Sequence, residues 1–314
     1  MYKPIQIAET LRNLVKDPQY DPLDIESYRN LSREWRNAVT RELFGKVSTS
    51  SMRFQDDLWN DSALPPQALE KLLELNKENT VVEEYIYQHV YWKNRKLIDL
   101  RKAITEVEDY ETFLELYREF DTPEFRSSQD RLFEVLSIST LQTNLDGINL
   151  KLRIEGEIEK LKGTSSSILV EFSHKRDMNL KLGKLGHTNA ADAGMDIWSN
   201  FGAIISVKNY HVDLNLYKQI LDDTPIGDLV IICKTHDESL NELAKQSDRP
   251  LRFIKELELF EDVGNYFADK QKRTSFLQLF TSFFDREFPL AQSLEKFMNS
   301  RGYKLNQPNA LTSY

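Results

Sequence analysis

Cysteine is nearly absent: Cys233 is the only one in 314 residues. A single thiol excludes an internal disulfide framework and any thiolate cluster around a metal, and it fits a reducing compartment. Long apolar runs are missing as well. No stretch approaches the roughly 18 residues that a membrane-crossing helix needs. The opening MYKPIQIAETLRNLV lacks the basic-then-apolar layout of a secretory signal. Together these absences give the cytoplasm as the expected location. There is no basic excess either. A net charge of −9 weighs against a surface that binds polyanions indiscriminately, but it leaves room for a basic cleft on an acidic body. Internal repeats and low-complexity segments are lacking. His187 has no second His or Cys at a spacing that suits zinc.

What is present describes a soluble globular chain: 40% hydrophobic and 29% charged residues, with length for one large domain or two smaller ones. Residues 1–150 read as helical nearly throughout. Asp24 is a candidate cap for a helix through Leu31, Trp35 and Val39. Pro65-Pro66 opens another helix with Leu69, Leu72 and Leu73 on one face. Thr80 precedes a long periodic segment through Val82, Ile86, Val90, Leu97, Leu100 and Ile104, and further helices are expected over 109–119 and 124–142. Trp59, Tyr85 and Trp92 are assigned to core packing, and 45–63 to a loop. Asp146-Gly147 marks a break. A charged amphipathic helix is then expected from Lys151 to Gly163. The segment that follows is either a strand over Ile168–Phe172 or a helix capped by Ser165–Ser167. The helix is favoured because no turn residue appears before Gly183. Either way Glu171 sits among apolar neighbours, where a carboxylate needs a role or a partner.

The pattern then changes. Asp196 lies on one apolar segment, Asn200-Phe201-Gly202 makes a tight turn, and a second apolar segment carries Ser206-Val207-Lys208. Alternation along a strand puts Ser206 and Lys208 on one face and Ile205 and Val207 on the other, toward a core. A lysine beside an apolar run needs an anion, and Asp196 across the hairpin is the nearest candidate. Asp213 caps an expected helix over 214–221, and Thr224–Gly227 breaks it. Asp228–Lys234 reads as a buried central strand, and a helix follows over 238–246. The tail from 251 reads as helical, with Phe276, Phe280, Phe283 and Phe284 as a packing stripe. The chain divides into a helical region at 1–150, a core at 151–250 and a helical extension at 251–314.

The order of elements around Glu171, Asp196 and Lys208, with the wording GHTNAADAGMDIWSNFGAIISVKNYH, resembles the PD-(D/E)XK nuclease core of type II restriction endonucleases. Within that group it resembles the HaeII-like subgroup. The resemblance covers residues 150–235, and the helical remainder carries none. It implies a mixed α/β (α+β) fold with an αβββαβ core, a helical N-terminal region and a helical C-terminal extension. It also implies Mg2+ as cofactor, sequence-specific hydrolysis of double-stranded DNA, a homodimer suited to palindromic sites, and a cognate DNA methyltransferase as genetic partner. The chemistry needs an activated water, a divalent ion and help for the leaving oxygen. Asp196 and the carbonyl of Val207 would hold the ion, since Mg2+ prefers oxygen ligands. Lys208 would orient the water and stabilise charge in the transition state.

Two departures matter. Ser206 stands where the pattern has an acid, and Met195 where it has proline. A second metal-binding carboxylate must therefore come from elsewhere, with Asp222 first among the candidates, then Glu171, then Asp192. The glycine-bounded loop 186–194 offers His187, Thr188 and Asn189 as DNA contacts, and Asn209 and His211 follow Lys208 as further ones. The plain alternative for Asp196 and Lys208 is a structural cross-strand ion pair. Two other functions stay open: a non-catalytic interaction protein with a degenerate core, and a nuclease that recognises DNA structure. The basic groups at Lys175-Arg176, Lys181, Lys184 and Lys270–Arg273 read as solvated faces.

Overall fold

The computed structural model describes residues 3–16, 37–45, 66–122, 125–146, 148–152, 176–184, 196–224, 227–288 and 290–303. The chain forms two compact units, one of Met1–Ala103 with Phe288–Tyr314 and one of Ile104–Glu287.

Unit one is helical. Its elements are α1 (Lys3–Lys16), α2 (37–44), α3 (Pro66–Asn79), α4 (Val81–Glu106, whose last turn lies in unit two) and α11 (Leu294–Asn299). Helical spacing puts Ile5, Ala8 and Leu11 on one side of α1, all fully buried. Ile5 and Ala8 join Val39, Leu43, Tyr87 and Val90 in a core that the returning chain completes with Ala291, Leu294, Phe297, Met298 and Tyr303. Tyr85 lies on the solvent side of α4 and is exposed, so it is not the core residue the sequence suggested.

A polar clamp fastens the returning segment. The Arg301 guanidinium donates from Nε to Glu9 Oε1 at 2.7 Å and from Nη2 to Glu9 Oε2 at 3.1 Å, and it also reaches Glu42. Glu9 accepts from Tyr87 OH as well. Tyr303 OH donates to Glu83 and accepts from Arg12.

Unit two holds α5 (Tyr110–Arg118), α6 (Arg126–Leu145), α7 (Leu214–Asp223), α8 (Ser239–Lys245), α9 (Glu256–Phe267) and α10 (Lys270–Glu287). Its strands are β1 (Asn149–Leu152), β2 (Arg176–Asn179), β3 (Leu182–Lys184), β4 (Ile197–Ser199), β5 (Ala203–Val212), β6 (Asp228–His236) and β7 (Leu251–Lys255). Among the described residues β1 and β2 pair as an antiparallel ribbon, and β3-β4-β5-β6-β7 form a mixed sheet. β3, β4 and β5 run antiparallel in turn, while β5, β6 and β7 are parallel. The architecture is mixed α and β, compatible with a restriction-endonuclease-like fold.

Alternation along the strands assigns the faces. Ile204, Leu229, Ile231, Cys233 and Phe253 pack with Tyr217 and Ile220 of α7 and Leu240 of α8. The alternate residues Ile205, Val207 and Ile232, also buried, turn the other way, where α6 packs on β5 and α9 on β6. Phe276, Phe280 and Phe284 of α10 are buried as the stripe predicted. Asp213 caps α7 by accepting from Leu216 N at 2.8 Å. Gly202 turns the β4–β5 hairpin at φ +100°. At Gly183 a Cβ would lie 2.3 Å from the indole Nε1 of Trp198, its partner across β3–β4, so only glycine lets that ring lie flat.

Three expectations change. Residues 151–152 belong to β1, not to a helix. Residues 176–179 and 182–184 are short strands, fixed by antiparallel pairing with β1 and β4 respectively. The tail opens with a strand, β7, which completes the parallel edge before α9 begins. Glu171 and the alternative over 165–175 lie outside the described residues.

Replacing Arg301 by Met would leave the buried Glu9 carboxylate without its bidentate cation. Removing one partner of a buried pair costs about 3–5 kcal/mol. Urea denaturation of the full chain should show a loss of that order, and an unchanged curve would remove the clamp from the account of unit one.

Candidate active site

The hairpin parts at Asp196. β4 pairs with β5 only at Ile197↔Ile205 and Trp198↔Ile204, and Asp196 N still donates to Ile205 O at 3.1 Å. Beyond that point the Asp196 side chain replaces strand pairing: Oδ2 accepts from Val207 N at 2.6 Å. Ser206 Oγ stands 3.5 Å from the same oxygen and Lys208 Nζ 3.8 Å from it. Asp196, Ser206 and Lys208 thus converge as their spacing predicted. Ser206 is fully buried, while Asp196 and Lys208 keep 15% and 18% of their side chains exposed, enough for a ligand to reach them.

Burial pushes the Asp196 carboxyl above its ordinary value. The Lys208 ammonium, the Val207 N–H, Lys184 and the Ser206 hydroxyl pull it down, but not enough to cancel desolvation. The carboxylate is therefore held in a place where its charge is under-compensated.

A second charged group lies beside it. Lys184 of β3 contacts Glu134 of α6 at 2.5 Å and Glu287 of α10 at 2.7 Å. Burial raises the Glu134 carboxyl, Lys184 lowers it, and the negative charges of Asp196 and Glu287 raise it further. Sequence reading missed Glu134 and Glu287, and took Lys184 for part of a solvated face. The available signal was an acid inside the apolar run Leu132-Phe133-Glu134-Val135-Leu136, the same signal that drew attention to Glu171. Tyr210 was missed too: its side chain is exposed, and its phenol is raised by partial burial and by the charges of Asp130 and Asp196.

Other predicted residues are dispersed. Asn209 donates to Asp130 Oδ1 at 3.1 Å. His211 is exposed and bridges Thr235 Oγ1 at 2.8 Å and Asp237 Oδ1 at 3.1 Å. Asp222 is exposed near the end of α7. Val207 turns its side chain into the core and its N–H to Asp196. Glu171, His187, Thr188, Asn189 and Asp192 lie outside the described residues. Among those described, no group of three or more His, Cys, Asp or Glu side chains has metal-holding spacing.

With this geometry in view, the sequence was compared with known proteins. The sequence model of the HaeII restriction endonuclease family matches residues 1–303. The chain belongs to that family. It is 33% identical over 253 residues to the type II restriction enzyme HaeII of Haemophilus aegyptius, covering 76% of this chain and 71% of that protein. It is 31% identical over 252 residues to the type II restriction enzyme NgoBI of Neisseria gonorrhoeae, with the same coverage. No solved structure matches the chain. The family match takes in the N-terminal helices, which carried no resemblance by inspection.

The raised Asp196 carboxyl makes a stability prediction. Folding favours its protonated form, so the ionised group subtracts stability above the carboxylate range, and that loss is recovered as pH falls through the raised value. Asp196→Asn should melt higher than wild type at neutral pH in EDTA. The rise should be roughly 2–4 °C, the shift that about 1 kcal/mol gives a unit of this size. The difference should shrink on acidification. A variant that melts lower at neutral pH would show that the ion pair outweighs the burial.

Proposed function

We propose that the chain is a Mg2+-dependent type II restriction endonuclease that hydrolyses phosphodiester bonds of double-stranded DNA at a specific sequence. Its class as a type II restriction enzyme follows from the family. The reading of its centre as a PD-(D/E)XK site rests on one observation: Asp196, the Val207 peptide and Lys208 meet where β4 and β5 part.

The residues suit a hard divalent cation. Asp196 is a carboxylate whose charge burial leaves under-compensated, so a cation at its free oxygen would lower its energy. On an extended strand a residue's N–H and C=O point to the same neighbour. The Val207 N–H reaches Asp196, so its carbonyl turns toward the same gap, and a carboxylate with a carbonyl is a donor set that Mg2+ accepts alongside water and phosphate oxygens. When bound, the ion would polarise the phosphate and make bound water more acidic. Lys208, partly exposed beside Asp196, would hold the attacking water and counter the charge that grows on the phosphate. Ser206 steadies the Asp196 oxygen but supplies no carboxylate.

Asn209 and His211, on the same strand, would contact the duplex, with His187, Thr188 and Asn189 as further contacts. The helices of unit one would serve for grip and for pairing two copies, as a two-fold site requires. A cytoplasmic location and a companion methyltransferase complete the reading.

The test is digestion of a sequenced plasmid with Mg2+ and mapping of the ends. Wild type should leave discrete fragments. Asp196→Ala and Lys208→Ala should each lose cleavage by at least about a thousandfold, as expected when a main electrostatic or acid–base group is removed, while still binding the cut site. Cleavage by either variant at the wild-type rate would sink this mechanism.

A further inference from the structure

Five ionisable side chains gather around the parted hairpin: carboxyls of Asp196, Glu134 and Glu287, and amines of Lys184 and Lys208. Counted in their ordinary charged forms, three acids against two bases leave one negative charge over. Glu134 and Glu287 are only 5% and 4% exposed, so water does little to disperse it. Lys184 Nζ lies between two buried carboxyls, 2.5 Å from Glu134 Oε2 and 2.7 Å from Glu287 Oε2. Buried ion pairs hold a fold poorly compared with apolar side chains of similar size, and Leu132, Phe133, Val135 and Leu136, which flank Glu134 in sequence, are apolar and buried. The cluster therefore calls for a reason other than stability.

We propose that Glu134 is the carboxylate missing at Ser206, a second oxygen ligand for the divalent ion, and that Lys184, anchored by Glu287, is the positioning residue that holds it beside Asp196. The proposal rests on the nuclease reading above. Three features carry it. Glu134 sits on α6, which packs on both β5 and β3, the strands that bear Lys208 and Lys184. Lys184, its partner, stands opposite Ile197 across β3–β4, next to Asp196, so Glu134 is held at the parted end of the hairpin. Lys184 has two carboxylate partners, so it stays paired through Glu287 when a cation draws on Glu134. A single residual negative charge is what a divalent ion, together with an anionic phosphate, is suited to take up. Asp222, by contrast, is exposed to water at the end of α7.

The test is Mn2+ binding to the full chain, read from the free-ion electron paramagnetic resonance signal, with melting curves in parallel. Glu134→Gln should weaken Mn2+ at least about tenfold and lose cleavage. Lys184→Arg should keep most of the affinity, and Lys184→Met should lose several-fold. If Glu134→Gln does not fold, Glu134→Asp keeps the charge but draws it back by one methylene, and its affinity should fall several-fold. A Glu134→Gln protein, or in its place a Glu134→Asp protein, that binds Mn2+ as tightly as wild type would reduce the cluster to a structural ion group and overturn the proposal. Asp196→Asn separates the two ideas. If it weakens Mn2+ while the Glu134 variants do not, the nuclease reading stands without Glu134. If Asp196→Asn leaves Mn2+ affinity unchanged, the reading itself falls.

Discussion

An aspartate carboxylate drawn out of water is the constraint on which unit two depends. Asp196 gives up solvation and receives a backbone N–H, a hydroxyl and an ammonium at a longer distance. These partners do not cancel the loss. A charge kept at such a cost persists only where the surrounding structure imposes it. Here the imposition is plain. β5 is fixed by parallel pairing with β6 along most of its length, and β4 is held to it by a hairpin of two paired residues. The side chain that follows the last pair has the next β5 peptide in front of it.

The rest of the unit keeps that meeting point rigid and within reach of solvent. Apolar residues on alternate sides of β5 and β6 anchor the strands between α7 and α8 on one face and α6 and α9 on the other. Irregular pairing between Lys208 and His211 releases the strand just past the lysine, and Tyr210 emerges there into water. Gly183 lets the Trp198 ring lie against β3, so the short outer strands stay close without a larger core of their own. The site is thus assembled from a central strand that cannot move and an edge made of very short strands.

How much of this was legible follows from how local each signal is. Helix caps and breaks depend on near neighbours, and Asp213 and Pro66 stand where the pattern put them. The Asp196–Lys208 meeting was legible because a tight turn and a two-residue period fix it within a dozen residues. β2, β3 and β7 were not: strands of three to five residues carry too few alternations to compete with helical spacing, and only their partners decide them. Glu134 and Glu287 were passed over for a different reason. Glu134 stands out locally only as an acid in an apolar run, and what joins it to Glu287 is a lysine far away in sequence that packing brings between them. The family match over residues 1–303 likewise reaches well past the stretch whose wording could be recognised.

That wide match has a physical counterpart in unit one. The chain leaves this unit along α4 and returns to it at Phe288, and the returning segment is no loose tail. Leu294, Phe297 and Met298 are almost fully buried, each contributing about 1.5–3 kcal/mol by burial, and Arg301 closes over Glu9 beneath them. The helices at the start of the chain therefore lack a finished core until its last described residues are in place. Unit two sits in sequence between the two halves of that core. Selection for a catalytic hairpin alone would leave the flanking helices free to drift. A core that needs apolar residues from both segments constrains them independently of the chemistry, and the family match over residues 1–303 takes in both.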